Sequence, residues 1–318
     1  MSGNADVAAA TVARPSLGRR IAKGLGAFFL LLLFVAGVAF AIVYQKSQAR
    51  FDARFRIDVE PLVVPPTTDA EAVARGRHVA QIRGCLDCHG AQGQGQVFLE
   101  QMPVMRLIPA NISPGGPTAR YTSEDWVRAV RHGVRPDGSA ILFMPVEDNA
   151  NIDDRDLGDL VAYLKTLPAS TNDLPHTQIG PMGRILYLAG KLPLVAAERI
   201  EHRPSVPAAP PVGPTPEYGA YLATTCTGCH GFHYSGGPIP GVPPEWPPAA
   251  NLTAHETGLR GVTVSQFEDA LRRGKHHDGH HMNPQFMPWN QFKNFTDVEI
   301  GAIFAFLHTV PPRPAGQR

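Results

Sequence analysis

Apolar positions along this chain fall into one long run and several helical stripes. Gly24 to Tyr44 carries no charge and is dominated by Leu, Phe, Val, Ala and Ile. Its 21 residues at ~1.5 Å per residue give about 31 Å, enough to cross the hydrocarbon layer of a bilayer. Leu157, Leu160, Val161 and Leu164 recur at i, i+3, i+4 and i+7, as do Ile300, Ile303, Phe304 and Leu307. Each set is one apolar helical stripe. Thr122 to His132 and Thr263 to Arg273 predict two middle helices, each followed by a glycine suited to the C′ position. A further helix leads into each cysteine pair. Thr68-Asp69-Ala70-Glu71 and Thr296-Asp297-Val298-Glu299 are capping-box patterns. Thr215 caps a helix with Pro216 at its first position, and Pro168 and Pro311 mark helix stops. No convincing alternation predicts strands, so the expected fold is mainly α.

These elements occur twice. Cys85-Leu86-Asp87-Cys88-His89-Gly90 matches Cys226-Thr227-Gly228-Cys229-His230-Gly231. Pro109-Ala110-Asn111-Ile112-Ser113 matches Pro248 to Thr253 with one inserted residue. Trp126, Ala129, Val130 and Gly133 match Phe267, Ala270, Leu271 and Gly274 at identical spacing. Asp137-Gly138 matches Asp278-Gly279, and Phe143-Met144-Pro145 matches Phe286-Met287-Pro288. Pro168 and Pro311 each lie 24 residues beyond the methionine of their unit. A shared register over so many landmarks identifies an internal repeat of about 100 residues. The organisation is a cytoplasmic N-terminus at 1–23, a transmembrane anchor or signal at 24–44 and a linker at 45–67. Domain 1 follows at 68–168, a Pro-rich linker at 169–214, domain 2 at 215–312 and a C-terminal tail at 313–318. Within the second linker an apolar patch around Ile185 to Ala197 fits a short helix packed on a neighbour. Its proline-dense end is semi-rigid.

Flanking charge does little to orient the long run. Arg14, Arg19, Arg20 and Lys23 precede it, and Lys46, Arg50, Arg54 and Arg56 follow. The run exceeds the ~7–15 residues of an ordinary signal core, which favours an uncleaved anchor, while Ala39-Phe40-Ala41 resembles a cleavage site. Under both readings the rest of the chain is exported.

Composition narrows the chemistry. In 318 residues, 29 Lys+Arg balance 28 Asp+Glu for a formal charge of +1. That balance excludes a strongly basic nucleic-acid binder and an acidic solvating tail. With 31 residues, proline is at about twice its usual share, which predicts short helices joined by stiff loops. All 4 cysteines lie in the two repeated motifs. Cys-x-x-Cys-His is the attachment pattern for c-type haem. Two thiols one helical turn apart add to the two porphyrin vinyl groups, and the next histidine faces the iron. A zinc ribbon needs its cysteine pairs ~15–20 residues apart, whereas Cys88 and Cys226 are separated by 138 positions. A thioredoxin-like pair lacks its βαβ context, and a disulfide framework leaves the two histidines unexplained. Two covalently bound haem c groups are therefore expected, on Cys85, Cys88 and His89 and on Cys226, Cys229 and His230.

Each histidine leaves the opposite axial position of its iron to be filled. Methionine there suits a carrier, since it raises the potential and blocks exogenous ligands. Met144 and Met287 are the candidates because both stand in Phe-Met-Pro at matched positions, where proline stiffens the loop. Met102, Met105 and Met282 have no matched partner and read as apolar filler. Pro109 and Pro248, or residues near them, are placed to offer a carbonyl to Nδ1–H of the histidines. Asn111 and Asn251 fit a propionate contact and a turn equally well. His132 ends a helix and reads as a dipole partner there. His276, His277, His280 and His281 crowd around the Asp278-Gly279 turn, as a metal site or a solvated loop. No Ser-His-Asp, metal-hydrolase or phosphate-loop constellation is present, and no catalytic residue is assigned.

On these motifs the chain resembles membrane-anchored dihaem c-type cytochromes with two tandem class I cytochrome c domains, over about 70–168 and 215–311. Its Asn-Ile/Leu-Ser/Thr, Phe-Met-Pro and last-helix segments are similar to the cytochrome c subunits of membrane-bound alcohol and gluconate dehydrogenases. Those subunits usually carry three haem motifs, and this chain has two. The resemblance implies that the first and last helices of each domain cross, with Gly76 or Gly219 allowing close approach to Tyr163 or Phe306. It implies an electron-transfer protein of the bacterial inner membrane, single-pass, with its haem domains in the periplasm. Expected partners are a dehydrogenase or quinol-oxidising complex as donor and a terminal oxidase or soluble cytochrome as acceptor. Alternatives are a dihaem peroxidase or thiosulfate-oxidising enzyme, which needs an openable sixth position, and the dihaem subunit of a haem-copper oxidase.

Overall fold

The computed structural model describes residues 17–172, 174–243 and 245–318; Arg14 and the rest of 1–16 lie outside them. The chain divides after Lys46 into two units. Helix α1, Leu17–Phe51, overruns the apolar segment at both ends, because Arg19, Arg20, Lys23 and Arg50 are good helix formers. Its apolar side chains from Leu25 to Phe40 are exposed. By length and composition it is long and apolar enough to cross a membrane.

The unit from Ser47 onward is mainly helical and repeats one arrangement. In the first repeat are α2 (Ala70–Ile82), α3 (Cys85–His89), α4 (Ser123–His132), α5 (Val146–Asn149) and α6 (Asp154–Leu164). After α7 (Pro181–Leu188) come α8 (Pro216–Ala223), α9 (Thr227–His230), α10 (Val264–Arg273), α11 (Trp289–Phe292) and α12 (Asp297–Leu307). Helix ends follow the local code. Thr122, Thr263 and Thr296 each form a capping box with the residue three positions on, and Thr215 accepts from the Tyr218 N–H. Gly133 and Gly274 close α4 and α10 at φ 65° and 64°, a left-handed conformation that glycine adopts without a Cβ penalty. At α2 the cap is Asp69, one residue later than the capping-box pattern placed it, accepting from Glu71 and Ala72 N–H. The turn that bonds Asp69 N–H to Pro66 O sets that start.

Helices α2 and α6 cross closely, as do α8 and α12. A Cβ on Gly76 would stand 1.8 Å from the carbonyl oxygen of Asp159, and one on Gly219 2.0 Å from that of Ala302. Gly219 also faces Phe306, as expected, and the atoms nearest a Cβ on Gly76 belong to Asp159 and Leu160. Behind each crossing lies an apolar core. Trp126, Val127, Val130, Leu157, Leu160 and Leu164 build the first; Phe267, Leu271, Phe295, Ile300, Ile303 and Leu307 build the second.

The segment between repeats is more structured than a tether. Helix α7 begins before Ile185, and Leu192, Leu194 and Val195 join Met105, Leu107, Val134 and Tyr187 in a third core. Three short antiparallel strands, β1 (Leu99–Gln101), β2 (Met105–Leu107) and β3 (Gln178–Ile179), lie beside it in the order β1-β2-β3, with Leu99 opposite Leu107 and Met105 opposite Ile179. Strands of two or three residues are too short to show alternation, which is why the sequence pattern did not announce them.

Candidate cofactor sites

Each Cys-x-x-Cys-His motif sits on a short helix, α3 or the turn into α9, just after the first helix of its repeat. The chain then reverses at a glycine, Gly90 at φ 84° or Gly231 at φ 78°. It folds back so that Gly95 N–H bonds His89 O at 2.7 Å and Gly236 N–H bonds His230 O at 2.9 Å. This return brings the Pro-Ala-Asn segments against the histidines. His89 Nδ1 stands 2.7 Å from Ala110 O, and His230 Nδ1 stands 2.7 Å from Ala250 O. A carbonyl only accepts, so Nδ1 carries the proton in both rings and Nε2 keeps its lone pair. The contact residue is the alanine before each asparagine, not Pro109 or Pro248 themselves. Ala110 and Ala250 carry no chemical signal; only their shared place before Asn111 and Asn251 marks them.

The asparagines hold that turn. Asn111 Oδ1 accepts from Ser113 N–H at 2.9 Å and Nδ2 donates to Ser170 O at 2.5 Å. Asn251 Oδ1 accepts from Thr253 N–H at 2.9 Å, and Nδ2 donates to Arg313 O at 2.7 Å. Of the two uses open to them in the sequence, these bonds supply the turn.

Burial keeps the thiols and imidazoles of the motifs neutral. Burial pushes the Cys85 thiol up to about 12, Cys88 to about 11 and Cys226 to about 12, and it raises Cys229 as well. Burial also lowers His89 and His230, outweighing the carbonyl contacts that raise them. Neutral imidazoles with a free Nε2 suit a metal. Thiols in apolar surroundings do not resemble the activated thiolates of redox or nucleophilic cysteines. The donor set therefore fits covalently held haem in both repeats.

Phe143-Met144-Pro145 and Phe286-Met287-Pro288 are held in different ways. Phe143 is left-handed at φ 65°, and its N–H bonds Leu194 O at 2.8 Å, so the segment between repeats pins the Met144 loop. Met287 N–H bonds Asn283 O at 3.1 Å within its own loop, and Met287 packs on the second core together with Cys226. Cys85 packs on the first core. Among the other methionines, Met105 is buried in the third core and Met102 is exposed. His132 is not the cationic dipole partner expected of it. Burial and the neighbouring His202, whose Nδ1 is 3.0 Å away, lower it to about 4, so it stays neutral.

A seam that no local pattern foretold joins the repeats. Arg83, two residues before Cys85, donates from Nη1 to Asp148 O and Thr224 Oγ1, both at 2.8 Å. Thr227 Oγ1 donates to Asp148 Oδ1 at 2.9 Å, and Tyr221 OH donates to Asp156 Oδ2 at 2.6 Å. His78 Nε2 lies 2.8 Å from Glu299 Oε1, and Ile82 of α2 is buried in the second core. The two attachment segments are thus tied to each other through side chains.

Comparison with known proteins agrees with this chemistry. Residues 217–311 match the family model for cytochrome c, and 71–164 match that for subunit III of cbb3-type cytochrome c oxidase. The chain is 28% identical over 285 residues to the cytochrome c subunit of alcohol dehydrogenase (quinone) from Gluconacetobacter polyoxogenes, covering 80% of this chain and 59% of the relative. It is 30% identical over 176 residues to a diheme cytochrome c-type protein of Cereibacter sphaeroides, covering 49% of this chain and 56% of that one. Against cytochrome c-554(548) of Halomonas halodenitrificans, 83 residues are 32% identical, covering 26% of this chain and 83% of the relative. The chain therefore spans about three-fifths of the length of the first of these relatives.

Proposed function

The chain belongs to the cytochrome c family, and from that premise we propose that it is a membrane-anchored dihaem carrier serving a dehydrogenase. Cys85 and Cys88 hold one haem c and Cys226 and Cys229 the other. His89 and Met144 ligate the first iron, His230 and Met287 the second. Bound haem supplies a one-electron ferrous/ferric couple at each site. The observation that carries this reading is the twin geometry of His89 with Ala110 and His230 with Ala250, each 2.7 Å. It fixes the ring tautomer and leaves Nε2 available to iron twice in one chain.

The polypeptide's part is positional. Asn111 and Asn251 hold the carbonyls that orient the imidazoles, and the proline after each methionine limits that loop's freedom. Arg83 and Asp148 keep both attachment segments in one body, so the separation of the groups they carry is fixed. Helix α1 retains the carrier at the inner membrane, with the haem domains in the periplasm. The relatives named as dehydrogenase cytochrome subunits support a dehydrogenase as donor; an oxidase or a soluble cytochrome is the acceptor. The role is electron transfer without substrate chemistry.

The test is made in membranes that contain the chain. Addition of an alcohol or gluconate should convert its haem c to the ferrous form, seen as growth of the α band, and deletion of the chain should abolish electron flow from the dehydrogenase to the terminal acceptor while the dehydrogenase still reduces an artificial acceptor. A second reading has one observation of its own, the match of residues 71–164 to an oxidase subunit. Stoichiometric co-purification with an oxidase core, and no reduction by dehydrogenase substrates, would select it.

A further inference from the structure

The loop between α10 and the Met287 segment carries histidines that its fold does not require. Lys275 bridges to His281, His276 N–H bonds His280 O at 2.9 Å, and Gly279 N–H bonds His276 O at 2.9 Å. The first repeat folds the corresponding residues in the same way. Val134 bridges to Ala140, Arg135 N–H bonds Ser139 O at 2.8 Å, and Gly138 N–H bonds Arg135 O at 2.8 Å. In both, the aspartate fixes the turn: Ser139 N–H donates to Asp137 Oδ1 at 2.9 Å and His280 N–H to Asp278 Oδ1 at 3.1 Å. One backbone therefore accommodates Arg-Pro-Asp-Gly-Ser-Ala in one repeat and His-His-Asp-Gly-His-His in the other. The aspartate and glycine make the turn; the imidazoles need another explanation.

Their arrangement provides one. His276 Nδ1 and His280 Nδ1 lie 3.0 and 2.6 Å from Asp278 Oδ1. One ligand atom from each of these three residues lies within 4.8 Å of the other two. His276 Nδ1 is buried and makes no hydrogen bond of good geometry. The His277 ring lies 4.0 Å from that of His276, tilted by 42°. Bonds of ~2.0–2.2 Å to a common ion place its ligand atoms up to about 4.3 Å apart, so a small rotation of the half-buried His276 and exposed His280 imidazoles brings the set into range.

We propose that His276, Asp278 and His280 form a binding site for a borderline divalent cation of the zinc and copper class, separate from the haem sites. Two imidazoles and one carboxylate suit such ions, whereas calcium and magnesium take oxygen ligands. Asp278 sets a carboxylate oxygen beside both imidazoles, 3.0 Å from His276 Nδ1 and 2.6 Å from His280 Nδ1. His-x-Asp-x-His on a hairpin places all three donors on one turn, and solvent completes the coordination. The site lies on the loop that continues into Met287.

The test uses the untagged, haem-loaded full chain in detergent, stripped of metal by a chelator and titrated with zinc in a calorimeter. Wild type should bind one zinc equivalent, at least about tenfold more tightly than a variant carrying the first repeat's residues, His276→Arg with His280→Ser. A His280→Ser single variant, which adds no positive charge, should weaken the same equivalent. Unchanged haem spectra in both variants show that the fold is kept. Equal zinc affinity in wild type and both variants, or no stoichiometric equivalent in wild type, would overturn the proposal.

Discussion

Thr227 Oγ1 donates to Asp148 Oδ1 at 2.9 Å, so a carboxylate of the first repeat rests on the attachment segment of the second. Gly228 N–H also faces that carboxylate, and Arg83 reaches the Asp148 carbonyl from the other motif. Two loops far apart in sequence are thereby held as one structure. Removing the contact acts on the relation between the haem sites rather than on either alone.

Asp148 gives this seam a pH dependence. Burial pushes its carboxyl from 3.8 up to about 6. Between those values the native protein keeps a proton that the unfolded chain has released, so stability falls as pH rises through the interval. Below 3.8 the penalty is absent, and above about 6 it is complete. Asp148→Asn retains an oxygen to accept from Thr227 and removes the titration. Its stability relative to wild type, measured by denaturant unfolding, should improve as pH rises from about 4 to about 7. Parallel profiles would show that the group does not titrate in this range.

The helix crossing predicts a sharp contrast between two glycines. Gly219→Ala drives a Cβ onto the Ala302 carbonyl, backbone that has no rotamer with which to yield. The cost should reach about 3 kcal/mol, at or above the upper end of ordinary overpacking. Gly301→Ala, also in the α8–α12 pair, meets only Pro214 Cβ at 3.7 Å. Helix propensity should then make it neutral or stabilising by up to about 1 kcal/mol. Thermal unfolding of the two variants decides this.

The axial assignment separates the repeats. Met144→Ala and Met287→Ala should each remove one methionine-ligated haem signal, lower that potential and admit carbon monoxide at one site, with the other unchanged. Leu194 O pins the Met144 loop through Phe143 N–H, whereas the Met287 loop is tied to itself. Shortening the segment between repeats should accordingly disturb the Met144 signal first. Unaltered spectra in both alanine variants would remove Met144 and Met287 from the axial positions.

Much of this was legible in the sequence because the decisive signals are local. Helix stripes at Leu157 to Leu164 and Ile300 to Leu307, the threonine caps and the left-handed Gly133 and Gly274 each depend on a few neighbouring residues. The cysteine and histidine spacing is local as well. What stayed hidden depends on distant partners. Arg83 meets Thr224 across 141 positions, and its own surroundings say nothing of that. The Ile185 to Ala197 patch becomes part of a core only because Met105, Val134 and Tyr187 arrive from elsewhere. His132 looked like a cation at a helix end until His202 and burial settled its charge. Ala110 and Ala250 act through backbone carbonyls, which every residue has.

Mass spectrometry of the mature protein under denaturing conditions tests whether two porphyrins are joined covalently, one through Cys85 and Cys88 and one through Cys226 and Cys229. The expected value is the polypeptide mass plus two haem increments, falling to one when Cys226 and Cys229 are both replaced by alanine. A denatured chain of bare polypeptide mass, or two increments that survive that double replacement, would contradict it.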